Sequence, residues 1–358
     1  MNYRHAEILA SANLGDSGTK NVDIKVVDPI SRITVRHTPA GGSNVPADHP
    51  ISNITKIELV DGSDVLYSLS GKEGQGLNIC EAKTPVIQEV DARTGGVPMM
   101  YINMDFGRRL WDPELAFDPK KFVNPQIKLT WNEANYDAGC TSSTFMMYAH
   151  LFDEKEVSPI GFLMNKEIKS FEPSSGSYEY TDLPTDYPLR KLLIQAYKKG
   201  ISVRGLCETI RLSEDNDKRI PIDGDIHQLR SFLDAMTGEV VEDVTGYAPL
   251  AGQYFYTAAQ NLFTIGVAGQ TSAKVLQITG PFGGRFGAAG ESADIPFTAH
   301  IRGKNPHGLI NIPFGLQDVI DDWYDVTKLG SLKLRLKGGT SSASGDSVNI
   351  VTQQLRRY

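Results

Sequence analysis

Apolar and polar positions alternate in short runs along most of the chain, and the runs come in the same order twice. From Ile57 the text is IELVDGSDVLYSLSGKEGQGLNI. Ile57 and Leu59 alternate, Asp61-Gly62-Ser63-Asp64 turns, and Val65, Tyr67 and Leu69 alternate again, which predicts a hairpin around an Asp-Gly turn. Ser70 and Glu73 then stand at the spacing of a capping box, with Leu77 on the apolar face of a short helix. From Ile210 the text is IRLSEDNDKRIPIDGDIHQLRSFL. Ile210 and Leu212 alternate, Glu214 to Asp217 turn, and Ile220 and Ile222 alternate. Asp225 and Gln228 repeat the capping spacing before the helical stripe Ile226, Leu229, Phe232 and Leu233. Both stretches read strand, acidic turn, strand, capped helix.

Further echoes flank this unit in the same order. Upstream, Pro29, Ile30, Arg32, Ile33 and Val35 match Pro188, Leu189, Lys191, Leu192 and Ile194, and proline suits the first residue of a strand. Downstream, MDFGRRLWDPELAFDPKKFVNPQIKLTW from Met104 matches IPFGLQDVIDDWYDVTKLGSLKLRL from Ile312. Each has Phe-Gly, a Trp (Trp111, Trp323), Asp-x-x-Lys (Asp118 to Lys121, Asp325 to Lys328) and an alternating strand. Each copy closes with one more strand, Phe145 to Phe152 and Val348 to Leu355. A repeat on a period of half the chain indicates a duplicated domain, since solenoid and propeller periods are far shorter.

This reading divides the chain into an N-terminal arm (1–21), a first domain (22–172), a small-polar linker (173–182, PSSGSYEYTD) and a second domain (183–358). The arm reads as a frayed terminus or a contact arm outside the core, with room for a short helix over His5 to Ala12. The second copy is longer between its helix and its Phe-Gly segment. Residues 238–303, with strand-like pieces at Phe255 to Val267 and Lys274 to Ile278, read as a large surface insertion. One-face alternation predicts antiparallel sheets that bury their apolar faces against each other. About eight strands with one lateral helix per copy suit a jelly roll better than an immunoglobulin sandwich. The fold class is therefore all-β: two tandem eight-stranded antiparallel jelly-roll sandwiches, each with a short lateral helix.

The paired blocks at Ile57 and Ile210, with DPKKFVNPQIKLTW from Asp118 and its partner from Asp325, resemble the double jelly-roll major capsid proteins of tailless, membrane-containing icosahedral viruses, nearest the compact forms of lipid-containing bacteriophages. The resemblance runs from about Val22 to the C-terminus. It implies a structural subunit with no catalytic residues. Three copies would form a trimer whose six barrels make a pseudo-hexameric tile of the virion shell, assembled in the host cytoplasm. Such a trimer buries well over roughly 2,000 Å², and two like barrels under a three-fold axis give a near six-fold outline. Implied partners are the chain itself, minor capsid and vertex proteins, and an internal membrane facing the N-terminal arm. The insertion would project outward or lock neighbours.

Composition narrows the chemistry. A net charge of −7 argues against direct nucleic-acid packing, which needs a basic surface. Cys80, Cys140 and Cys207 are odd in number and irregularly spaced, and read as reduced, buried thiols with neither a disulfide frame nor a zinc site. The longest dense apolar run, Phe145 to Phe152, is too short to span a bilayer, and no secretory h-region is visible. GPFGGRFGAAGES from Gly280 lacks the ending of a phosphate loop and reads as a flexible surface loop. His5, His37, His49, His150, His227, His300 and His307 show no ligand-pair spacing. Asp318, Asp321, Asp322 and Asp325, like Asp215 and Asp217, lack the order of a calcium loop and read as solvated acidic turns. Cys140 reads as a structural thiol and not as a nucleophile paired with His150. Asn53-Ile54-Thr55 matches a glycosylation acceptor but lacks a secretory context. Trp111, Trp131 and Trp323 read as core or interface packing in place of sugar stacking. No catalytic, cofactor or metal residue is assigned. The competing readings are a tandem jelly-roll glycan-active hydrolase, which needs two convergent carboxylates in a cleft, and a carbohydrate-binding protein with aromatics on one open face.

Overall fold

The alternating runs fold as strands, in an order that makes the duplication visible in the hydrogen bonding. The computed structural model describes residues 2–82, 84, 87–269, 276–292 and 294–358. The first repeat contains β1 (Tyr3–Asn13), β2 (Ser17–Asp23), β3 (Ile30–Ala40), β4 (Ile54–Asp61), β5 (Asp64–Leu69), α1 (Gly71–Glu81), β6 (Ile87–Asp91), β7 (Met100–Asp105), β8 (Pro125–Asn132) and β9 (Ser142–Phe152). The second contains β10 (Gly161–Phe171), β11 (Tyr178–Asp182), β12 (Leu189–Tyr197), α2 (Val203–Leu206), β13 (Cys207–Glu214), β14 (Arg219–Asp225) and α3 (Ile226–Leu233). It continues through β15 (Val240–Ala248), β16 (Gln253–Tyr256), β17 (Ala259–Gly269), β18 (Leu276–Phe282), β19 (Arg285–Gly290) and β20 (Ile295–Pro306) to β21 (Leu309–Pro313), β22 (Leu332–Gly338) and β23 (Ser347–Arg357).

In the first repeat the sheet orders are β1-β9-β3-β7 and β2-β8-β4-β5; in the second they are β10-β23-β12-β21 and β11-β22-β13-β14. These are the same two orders, strand for strand, and each repeat is a four-on-four antiparallel jelly roll. The irregularities repeat as well. A register shift falls at Glu7/Leu9 in β1 and at Glu167/Lys169 in β10. Others fall at Ile30/Arg32 in β3 and Leu189/Lys191 in β12, and at Ile54/Lys56 in β4 and Cys207/Thr209 in β13. Bulges bend a strand and re-aim its side chains, so their recurrence means that the two barrels share their curvature as well as their connectivity. The barrels meet edge to edge. β5, the last strand of its sheet in the first barrel, pairs in parallel with β10 of the second, making one eight-stranded sheet in which the strands of both barrels lie alongside each other.

Several expectations change. Residues 3–13 and 17–23, placed outside the core, are β1 and β2, paired to β9 and β8. The helix expected over His5 to Ala12 is an edge strand: its outer face is polar, so its alternation is weak, and pairing with β9 decides its state. The segment expected as a linker at 173–182 includes β11, paired to β22. The expected surface insertion at 238–303 is a third sandwich, of sheets β17-β20-β15-β6 and β16-β19-β18. Phe255, Phe286 and Phe297 fill its centre, with ring centroids 4.9 to 6.2 Å apart. One strand of it, β6, comes from the first repeat and pairs in parallel with β15. Both repeats thus contribute the segment after their helix to one tower, and its apolar core is continuous with that of the first barrel. GPFGGRFGAAGES is the β18–β19 hairpin, turning at Gly283 and Gly284, both with positive φ. Of the strand expected at Lys274 to Ile278, residues 274–275 lie outside the described residues.

Candidate assembly interface

The seam between the barrels is densely bonded, and α1 is its wedge. Ser70 accepts from the Glu73 backbone N–H and the Glu73 carboxylate accepts from that of Ser70, so the predicted capping box forms. Glycine makes α1 a poor helix former on its own, but it allows close approach. A Cβ on Gly71 would stand 2.2 Å from the Ile51 carbonyl oxygen, and one on Gly76 3.2 Å from Leu309 of β21. The helix is buried almost all round, between the first barrel, the second barrel and the tower.

Charged groups cross the seam in pairs. At the end of α1, Glu81 accepts from Arg190 at 2.7 Å and from Lys191 at 2.8 Å, both cations being buried on β12. Burial raises the Glu81 carboxyl, but Lys191 and Arg190 outweigh it and hold the group at about 2. Arg190 also donates to Gln353 at 2.7 Å, and Gln353 donates to Asn165 of β10 at 2.9 Å. Asn349 of β23 donates to Glu73 at 2.9 Å. Further toward the C-terminal end of β23, Arg356 meets Asp64 at 2.5 Å, and the Tyr358 hydroxyl donates to the Ala116 carbonyl at 2.7 Å. A buried polar set ties the tower down: His49 Nε2 lies 2.7 Å from Glu242 Oε1, and His307 Nε2 2.6 Å from Gln75 Oε1. Beside them Asp48 takes Lys72 at 2.7 Å and the Tyr197 hydroxyl at 2.6 Å. Burial opposes ionisation of Asp48, yet Lys72 and Lys199 keep its carboxyl below the ordinary range. Burial, with His49 and Lys72 close by, holds His307 neutral, well below the ordinary imidazole range.

The sequence candidates land on structural work. Asp215 accepts from the Gly330 and Ser331 backbone N–H groups, Asp217 bonds Ser213, Asp322 accepts from Leu316 N–H, and Asp325 caps a 3-10 turn at Val326–Lys328. Asp215, Asn216 and Asp217 all have positive φ, a conformation that Asn and Asp tolerate best after glycine. His37 stacks on Phe145 and His5 meets His150 edge to face, while His300 pairs with Asp243 at 2.5 Å. Among the described residues no three His, Cys, Asp or Glu side chains gather as a metal site. All three cysteines are buried and free, and burial pushes each thiol up to about 12. Asn53 is buried, donating to Glu133 and accepting from Tyr136, so its amide is occupied. Trp131 and Trp323 are buried, and Trp111 stacks on Tyr3 at 4.2 Å. The carboxyls that burial raises are held in place: Glu73 by its capping box, and Asp105 by Arg32 at 2.5 Å. Sequence reading missed the seam residues Glu81, Arg190 and Arg356. Lys191 carried a signal, as the basic position shared with Arg32 in the two β3-type motifs, and Glu73 and Asp64 were read only for their local cap and turn.

No family model matches the chain, and no curated protein does. Solved structures do. The STIV MCP, from Sulfolobus Turreted Icosahedral Virus, superposes with a TM-score of 0.62 at 12% identity, over 99% of this chain and 96% of that one. The major capsid protein P2 from Bacteriophage PM2 gives 0.55 at 10% identity, over 99% and 98%. PBCV-1 VP54, fitted into a reconstruction of the virophage Sputnik, gives 0.56 at 10% identity, over 99% and 94%. Identities this low speak for fold. With matched strand orders, matched bulges and full-length superposition, the chain has the double jelly-roll fold that it shares with these viral capsid proteins.

Proposed function

We propose that this chain is the major capsid subunit of an icosahedral virus, and that three copies make a six-barrel tile of its shell. The observation that carries this reading is the fusion of two barrels of one strand order through the parallel β5–β10 pair, with α1 and its charge pairs fixing their relative placement. Such a seam makes a rigid, flat-sided block, which is what a tile needs. The likeness to viral capsid proteins over nearly the whole chain supports the same reading. We take the tile's two barrels as residues 3–152 and 161–357, with the tower standing on one end of the pair. In this reading the subunit works in the virion, assembled in the host cytoplasm, and meets its own copies, minor capsid and vertex proteins, and a membrane beneath the shell. Among the described residues the carboxyls that burial raises, Glu73 and Asp105, are consumed by the fold, which leaves the glycan-hydrolase alternative without support. Native mass spectrometry of the purified 39.3 kDa chain is expected to give a trimer, and electron microscopy regular particles or six-sided tiles. A stable monomer that binds or cleaves a glycan overturns the proposal.

A further inference from the structure

The duplication places a second, unfilled version of the internal seam on the outside of the molecule. α1 lies between barrels, but α3, its counterpart, has one face open: Phe232 is 53% exposed, and Met236, three residues past the helix end, 56%. β5 is closed by β10, whereas its counterpart β14 ends its sheet, and β1, the counterpart of β10, ends the sheet at the opposite side. Pairing registers set the correspondence. Ile57 pairs with Leu69 as Ile210 pairs with Gly224, which matches Asp64 to Arg219 at the start of each strand. Tyr3 pairs with Phe152 as Leu163 pairs with Leu355, which matches Asp153 to Arg356 as the next residue in each case. The seam's ion pair Asp64–Arg356 therefore has a counterpart in Arg219 and Asp153 with both signs exchanged. On a single copy these two sit on opposite flanks. Arg219 is 68% exposed and pairs with Glu214 beside its own turn, and Asp153 is 40% exposed with Arg4 at 3.7 Å.

We propose that the β14–α3 face of one copy receives the β1 edge of a second copy, repeating the β5–β10 seam between molecules. Asn165 stands beside Tyr67 and Lys166 beside Ser68 in the internal seam. In the external one His5 stands beside Ile222 and Ala6 beside Asp223, with Asp153 facing Arg219 and the second copy covering Phe232 and Met236. The occupant is a second copy because the internal seam supplies the template and the exchanged charges supply the complement. The contact is head to tail, so it has no two-fold axis, and three copies related by a three-fold rotation close it into a ring. This deepens the shell reading, naming the faces through which three copies would meet.

The test is charge reversal with rescue. Asp153→Arg and Arg219→Asp, each alone, are expected to weaken association at least tenfold by mass photometry or sedimentation. The double variant is expected to return it to within about threefold of wild type, since two like-charge contacts become one attractive pair. Phe232→Asp, at an exposed position, is expected to weaken association in a background that keeps the ion pair. Circular dichroism melts of every variant should match wild type, separating assembly from folding. If wild type forms trimers and the single reversals do so equally well, or the double variant is no better than the singles, these faces are wrong while the shell reading stands. A wild-type assembly of two copies also overturns the inference, and a wild-type chain that stays monomeric overturns both.

Discussion

Glu81 shows how much of the molecule's geometry rests on single side chains. Among the described residues its carboxylate is the ion-pair partner of both buried cations, with Asp105 acting on Arg190 only through space, so removing its charge leaves Arg190 and Lys191 under-compensated in a low-dielectric seam. Glu81→Gln is expected to cost about 3–5 kcal/mol, the range for breaking one side of a buried charge cluster, read as a fall in the denaturant midpoint at neutral pH. The pH dependence has a definite sign. The folded-state value of about 2 lies below the ordinary 4.5, so the folded chain takes up the proton less readily than the unfolded one. The stabilisation is whole above pH 4.5 and is lost as pH falls from there toward 2. Wild type should lose thermal stability through that window, and the Gln variant should lose less. A wild type as stable at pH 2.5 as at pH 6 would remove Glu81 from this role. Little of this was legible beforehand: Glu81 sits at the end of a glycine-rich helix, and its partners are distant in the chain.

At the scale of elements, legibility followed periodicity and locality. The β4–β5 hairpin, the Ser70–Glu73 cap and α1 lie within one short stretch and were readable. β1 was not, because an edge strand with a polar outer face carries half the usual signal. The tower was read as loop with stray strands, because its sheet is completed by β6 from the other repeat, and no local pattern announces such a partner. In α3 the apolar stripe predicted a buried face, yet Phe232 points to solvent in the single chain. α1 makes a prediction of its own. Its fit depends on Gly71, where any Cβ meets the Ile51 carbonyl at 2.2 Å. Gly71→Ala improves helix propensity but forces the helix off its seat, so it is expected to destabilise by about 1–3 kcal/mol. A melting temperature that rises instead would show that the helix has room to shift.

Across the whole molecule, the first barrel and the tower share one interior, and the second barrel, which has a core of its own, reaches into it at the seam. The first barrel, the tower and second-barrel residues such as Leu193, Leu309 and Val351 belong to one continuous apolar cluster. A single calorimetric unfolding transition is therefore expected, with the van't Hoff and calorimetric enthalpies in agreement; two resolved transitions would mean that the seam is weaker than its bonding implies. The exchanged charges at the two seams carry a last consequence. Were a first barrel to dock on another first barrel, Asp64 would face Asp153; were a second barrel to dock on another second barrel, Arg219 would face Arg356. Each like-with-like neighbour meets repulsion, and each unlike neighbour meets an opposite charge. Divergence after duplication has thus written a rule of alternation into the edges, so that an even-numbered ring can be laid only in the order first, second, first, second, and never from either half alone.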